Sequence, residues 1–188
     1  MRWCFLVAIF IVSVIISEKG IKNGGFFLAR DVKIWKDDGA FKLRVCGVIK
    51  VGDKYLIDNC DHCEFYSYPG GHVQIGEATN EAVLRETLEE TGIDCEIDKM
   101  LANIELFFSR EDGNPFHEIG YYYLLKPKAK IEAIDFSREE EDKGKLRSHE
   151  FKWVTVDELL TLDVKPVALK EVIRQGLECK HIIYREDN

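Results

Sequence analysis

Residues 79–91, Thr-Asn-Glu-Ala-Val-Leu-Arg-Glu-Thr-Leu-Glu-Glu-Thr, decide how the rest of the chain is read. They predict one helix: Thr79 can cap it, Glu81 suits the first turn, and Gly92 closes it. Val83, Leu84, Thr87 and Leu88 are expected to face a core. Glu86, Glu89 and Glu90 fall within about 100° of one another on the other side. Like charges at helical spacing weaken a helix, and a solvated acidic face is the ordinary explanation of such a cluster. Here, however, a Pro69-Gly70-Gly71 breaker precedes the helix, and its carbonyls are not committed to one. Carboxylates plus a free backbone carbonyl are the hard oxygen ligands that Mg²⁺ takes, and a bound cation would remove the repulsion.

Working outward, Phe41–Val51 mixes β-branched, aromatic and polar residues, then turns through Gly52-Asp53 into Lys54–Ile57, which reads as a hairpin. Glu64–Tyr68 reads as a short aromatic strand stopped by the breaker. Strands follow at Glu96–Phe108, His117–Leu125 and His149–Thr155. They are separated by a polar hairpin at 109–115 and by a charged stretch at 137–148, expected as a solvated, mobile connection. A second helix is predicted over Pro166–Gln175, with a short turn at Asp157–Leu160 and a tail over 176–188. Tyr121, Tyr122 and Tyr123 alternate on a strand, so at least one is expected to face away from the core, available to stack a base.

Gly71 to Ile93, GHVQIGEATNEAVLRETLEETGI, resembles the signature box of the Nudix (MutT-like) hydrolases. Gly71, Glu77, Arg85-Glu86, Glu89-Glu90, Gly92 and Ile93 stand at that family's spacing; Thr87 departs from it, where an aliphatic residue is usual. With residues drawn independently from composition, such a match arises on the order of once in a million chains. The surrounding strand order extends the resemblance to about 28–175, the expected domain. The resemblance implies an α/β/α sandwich with a mixed β-sheet, and Mg²⁺-dependent hydrolysis (Mn²⁺ as substitute) of a nucleoside diphosphate linked to another group, X. It makes Glu86, Glu89 and Glu90 metal ligands, with Gly71 lending its carbonyl and Glu77 a supporting or more distant carboxylate. Arg85 would orient the glutamates by charge-assisted bonds. A divalent cation neutralises the diphosphate and acidifies water, and a carboxylate accepts the proton. Glu86 and Glu89 are the leading bases, although clustered glutamates titrate as a unit. Some relatives use a base from a later loop, a role open here to Glu118, Glu139–Glu141 or Glu150. No proline lies between Pro69 and Pro115, no tyrosine between Tyr68 and Tyr121, and no Pro- and Trp-rich tract follows. The marks associated with ADP-ribose, dinucleoside-polyphosphate and NADH pyrophosphatases are therefore absent. The other readings are a non-catalytic binding or regulatory module on the same fold, and a thiol or zinc protein using Cys60 and Cys63.

The 188 residues are 46% hydrophobic and 32% charged, which suits one soluble domain. Lys+Arg 26 against Asp+Glu 34 gives a net charge of −8, a poor balance for a nucleic-acid binder. The expected partner is a small nucleoside-diphosphate derivative, with a homodimer admitted. The six cysteines are scattered and read as reduced thiols. Cys60-Asp61-His62-Cys63 supplies at most half a zinc site, to which His72, His117 or His149 could be added by folding. Trp3–Ile16 is an apolar run shorter than a bilayer span. Three readings stand open for it. It is a signal or anchor, which would export the chain or bring it to a membrane; or a buried strand or helix, which a short apolar run does not distinguish; or residues 1–27 are upstream sequence translated in frame, leaving a cytoplasmic protein.

Overall fold

A computed structural model describes residues 30–110, 112–142, 144–176 and 178–185. The expectations for residues 1–27, including the apolar run at 3–16, lie outside the described residues. The elements run β1 (Lys33–Lys36), β2 (Gly39–Val51), β3 (Lys54–Cys60), α1 (Thr79–Thr91), β4 (Cys95–Ser109), β5 (Pro115–Pro127), β6 (Phe136–Asp142), β7 (Lys145–Thr155), α2 (Val156–Thr161), α3 (Val167–Arg174) and β8 (Lys180–Arg185). The strands order as β6-β7-β3-β2-β5-β4-β8, with β1 on β2. The β2–β5 and β4–β8 pairs are parallel and the rest antiparallel, so the sheet is mixed. No helix among the described residues is long and apolar enough to cross a membrane.

Alternation along each strand sends successive side chains to opposite faces, and both faces are covered. Cys46, Val48, Tyr122 and Leu124 pack with Leu159 of α2 and with Leu169, Val172 and Ile173 of α3. Val45, Ile49, Tyr123 and Leu125 pack with Ala82 and Val83 of α1. The result is the expected α/β/α sandwich. The covering also corrects the tyrosine expectation: Tyr122 is buried in one cluster, while Tyr123 and the partly buried Tyr121 pack in the other.

The sheet is nearly split along the middle. Strands β2 and β3 pair only at Lys50–Tyr55 and Val51–Lys54. Beyond that hairpin the chain leading to α1 inserts between them. Asp58 and Ser67 exchange both backbone bonds, Gly47 N–H donates to Pro69 O at 2.8 Å, and Val45 N–H donates to Gly71 O at 3.0 Å. Glu64–Tyr68, expected as a strand, therefore makes only isolated bridges, at Tyr66 and Ser67. Pro69 has no N–H to continue a ladder.

Two further stretches differ from the sequence reading. The charged segment 137–148 is a β-hairpin between β6 and β7, in register from Phe136–Phe151 to Asp142–Lys145, with Phe136 stacked on Phe151 at 4.7 Å. Within the expected tail, residues 180–185 form β8, parallel to β4. Helix α1 spans the expected residues and ends at Gly92 in the left-handed conformation, φ 72°. Its N-cap, however, is Ala78, whose N–H donates to the Glu81 carboxylate at 2.9 Å. Thr79 instead shares a hydrogen bond with the Tyr123 hydroxyl at 2.6 Å. The buried arc of α1 passes through Ala82, Val83, Thr87, Glu90 and Thr91. Leu88, expected in the core, is 47% exposed, and Glu90 takes the inward place at 9% exposure.

Candidate functional site

The split in the sheet leaves a cleft of about 690 Å³ beside α1, with Glu86, Glu89 and Glu90 on one wall and Asp58, His149, Glu140 and Glu141 on the other. The first wall is helical and local. The second is built by β3, β6 and β7, and Lys42, Arg44, Arg138 and Arg147 add positive charge to the lining.

Arg85 organises the first wall. Its Nε and Nη2 form a fork on Glu77 at 2.7 and 3.0 Å, and its Nη1 reaches Glu86 Oε1 at 2.8 Å and Glu89 Oε2 at 2.9 Å. A second bond from Nη2, to His72 O at 3.2 Å, fixes the guanidinium against the loop before α1. The planar five-donor head suits this bridging; a lysine could not span three carboxylates. The Arg85 hydrogen bond, with a Gln74 N–H, holds Glu77 below the usual carboxylate range, although burial opposes this. Glu77 therefore stands behind Arg85 rather than open to the cleft.

Glu86 and Glu90 are pushed the other way. Burial raises the Glu86 carboxyl above its ordinary range even with Arg85 beside it. Burial raises Glu90 much further, helped by the negative charges of Asp58 and Glu86, although Gly70 N–H donates to Glu90 Oε2 at 2.7 Å. A buried and a partly buried carboxylate that resist ionisation in one cleft are the electrostatic situation that a divalent cation resolves. The fit to a cation is also steric. A Cβ at Gly71 would collide with the Glu86 carboxylate, so only glycine lets Glu86 lie against that backbone. The Gly71 carbonyl accepts from Val45 N–H at 3.0 Å, which leaves one lone pair on the oxygen.

The second wall contains residues that the sequence did not connect to the box. His149 Nδ1 lies 2.8 Å from Asp58 Oδ2, and both side chains are buried. Burial works to lower the His149 pKa, but the bond and charge of Asp58 and the charge of Glu140 outweigh it and hold the ring above its ordinary value. Of the later carboxylates, Glu140 and Glu141 line the cleft. Glu118 instead lines a neighbouring pocket of about 300 Å³, with Phe65, Tyr68, Leu106, Phe107, Phe108, Tyr122 and Tyr184. Glu150 lies 3.4 Å from His62, away from the cleft. Arg44 lines both cavities; its Nη2 donates to Gly70 O at 3.0 Å, and its buried Nε has no partner among the described residues. Cys60 and Cys63 are free thiols; Cys63 is exposed, and Cys60 Sγ sits 3.9 Å from His149 Nε2. Strand periodicity could have grouped Asp58 with Cys60, but no local signal ties either to His149.

Arg85→Met is expected to lower stability by about 2 kcal/mol, below the roughly 3–5 kcal/mol of a fully buried pair because water screens this one. It should also release Glu86 and Glu89, so that divalent-cation affinity drops about tenfold or more. Urea unfolding and cation titration measure the two effects. Unchanged cation affinity in a folded variant would remove Arg85 from the site.

A family model described as NUDIX domain matches residues 42–175. A candidate mutator protein, MutT4, of Mycobacterium tuberculosis is 34% identical over 61 residues, covering 32% of this chain and 24% of that protein. A candidate ADP-ribose pyrophosphatase of Bacillus subtilis, YjhB, is 29% identical over 95 residues, 49% of this chain and 44% of that one. The chain thus spans less than half the length of the curated relatives it matches. Among solved structures, one titled as a UDP-X diphosphatase superposes with a TM-score of 0.53 at 15% identity, covering 75% of this chain and 66% of that one, a likeness of fold.

Proposed function

Since the chain belongs to the NUDIX family, we propose that it hydrolyses the pyrophosphate bond of a nucleoside diphosphate linked to X, with a divalent cation, Mg²⁺ or Mn²⁺, held by Glu86, Glu89 and Glu90. The observation that carries this reading is a pair of neighbouring cavities that share lining residues. An acidic cleft bordered by basic side chains opens beside an aromatic pocket, and Arg44, Ser67 and Tyr68 line both. A substrate with a diphosphate at one end and a flat or apolar group at the other matches that pair.

When bound, the cation neutralises phosphate oxygens and makes water a better nucleophile. The chain's own residues do the rest. Arg44 and Arg138 face the cleft with charge suited to phosphoryl oxygens. Arg85 holds Glu86 and Glu89 at fixed positions, and either can accept the proton that water loses. The aromatic pocket excludes water from one end of the substrate. Cys60 also lines the cleft, but burial and the charge of Asp58 push its thiol up to about 11, which leaves it a poor nucleophile, so water attacks phosphorus directly. Products are a nucleoside monophosphate and phosphorylated X.

A hydrolysis screen over nucleoside-diphosphate compounds, run in ¹⁸O-water, tests this. Label is expected on one phosphorus after a single turnover, and EDTA should abolish the reaction. Label appearing first on the protein, or turnover that survives EDTA, would overturn it.

A further inference from the structure

We propose that the cleft binds its divalent cation through a nitrogen as well as through oxygens: His149 Nε2 joins Glu90 and Glu140, and Asp58 orients the imidazole for that task. This rests on the reading of the cleft as a cation site, but it adds a ligand from outside the box.

The argument begins with strand register. Cys60 lies opposite His149 across the β3–β7 ladder. Asp58, two residues earlier on β3, points to the same face as Cys60. The Asp58 carboxylate therefore meets one edge of the imidazole, and Oδ2 sits 2.8 Å from Nδ1. A carboxylate at that edge keeps the proton on Nδ1 and leaves the Nε2 lone pair facing the other way. That arrangement, carboxylate to imidazole to cation, is how proteins commonly set the tautomer of a metal-binding histidine.

The other edge opens on acids. His149 Nε2 lies 3.5 Å from Glu140 Oε2, and one ligand atom each from His149, Glu140 and Glu90 falls within 4.8 Å of the other two. The Cys60 sulfur, a weak donor, also lies near Nε2, at 3.9 Å. His149 is 2% exposed and Asp58 3% exposed, so neither ring nor carboxylate is solvated. Asp58 Oδ1 is buried with no hydrogen-bond partner among the described residues. An unpaired carboxylate oxygen in a buried site is costly, and a cation in the cleft offsets that cost. The competing account is a purely structural triad, with a doubly protonated His149 between Asp58 and Glu140 and no part in cation binding.

A nitrogen ligand has a chemical consequence. Mg²⁺ prefers an all-oxygen shell, whereas Co²⁺ and Zn²⁺ accept imidazole readily, and Mn²⁺, which also favours oxygen, tolerates a nitrogen ligand better than Mg²⁺ does. The cleft should therefore favour such ions over Mg²⁺ more than an all-glutamate site would.

Electron spin echo modulation of Mn²⁺ added to the full, metal-free chain decides between the accounts. Bound Mn²⁺ is expected to show ¹⁴N coupling, replaced by a ¹⁵N pattern when the histidines carry ¹⁵N-labelled rings. Because His149 is buried, this measurement on the unaltered sequence tests the nitrogen ligand without any variant. His72 also lines the cleft, so two substitutions identify the ring. His149→Gln should lose the coupling and weaken Mn²⁺ about tenfold or more while changing Mg²⁺ affinity little; His72→Gln should keep the coupling. Mn²⁺ bound without nitrogen coupling, or coupling lost only with His72→Gln, would overturn the assignment and leave the glutamate site standing. No saturable Mn²⁺ binding at all would instead defeat the cation reading itself.

Discussion

Glu90→Gln is expected to turn over about a hundredfold slower or worse, and yet to melt at a higher temperature than the unaltered protein when both are free of metal. Glu90 is 9% exposed and its carboxyl is raised well above 4.5 by burial and by neighbouring negative charge. The sign of the stability change follows from proton linkage. Below about pH 4.5 Glu90 is protonated in folded and unfolded chains alike and contributes nothing. As pH rises, the unfolded chain loses its proton first while the folded one retains it, so folding stability falls until the folded carboxyl also ionises. A neutral glutamine escapes that loss and can still accept from Gly70 N–H. The difference in melting temperature should therefore be absent near pH 4 and grow toward neutrality in chelator. Saturating cation should reverse it, because the cation stabilises only the chain that binds it. Glu89→Gln, at an exposed position, should reduce turnover without the stability gain. A Glu90→Gln protein with full activity, or one that melts lower at neutral pH in chelator, would contradict this account of the cleft.

Gly70→Ala should be a severely damaging change among the described glycines, costing about 2–6 kcal/mol. Gly70 has φ 152°, which side-chain-bearing residues avoid. An added Cβ would also collide with the Val45 carbonyl and lie 2.7 Å from Cys46 Cα, so strand β2 itself would have to move. Strain of about 1–3 kcal/mol and overpacking of about 1–3 kcal/mol add to that range. Activity should fall with stability, because Gly70 N–H is the bond that places Glu90. Gly76 separates the two causes: it has φ 87° with nothing within 4 Å of a built Cβ, so Gly76→Ala carries strain without collision. Urea midpoints for the two variants measure the difference. A Gly70→Ala midpoint equal to that of Gly76→Ala would show that the contact with β2 yields freely.

What could be read in advance was what is local. Helix α1 ends where its sequence says because Gly92 adopts the left-handed conformation whatever the surroundings. Its rotation was not legible. The acidic arc and the apolar arc were drawn from residue type, but the structure buries Glu90 and exposes Leu88, since Gly70 offers Glu90 a backbone donor. The 137–148 hairpin was hidden for another reason: its charge suits solvent, and its strand character comes from pairing with β7 and from Phe136 on Phe151. Strand β8 was legible and missed. Ile182 and Tyr184 pack against the core while Ile183 is exposed, and the signal was the β-branched and aromatic content of Ile-Ile-Tyr rather than any alternation of residue type. The second wall of the cleft had no sequence signature, because Asp58 and His149 meet only through the β3–β7 register.

That register also sets an order of assembly. The first wall is one helix, which forms from neighbours in sequence. Asp58 and His149 are separated by 91 positions, and such distant pairings form late because a long loop must close first. A growing chain therefore carries its clustered glutamates, bridged by Arg85, well before β7 brings His149 opposite them. Synthesis halted before β7 would yield half a cleft, a helix of clustered glutamates with an incomplete opposite bank. Competence should thus arrive in one late step, when the final strands dock and the two halves first confront each other.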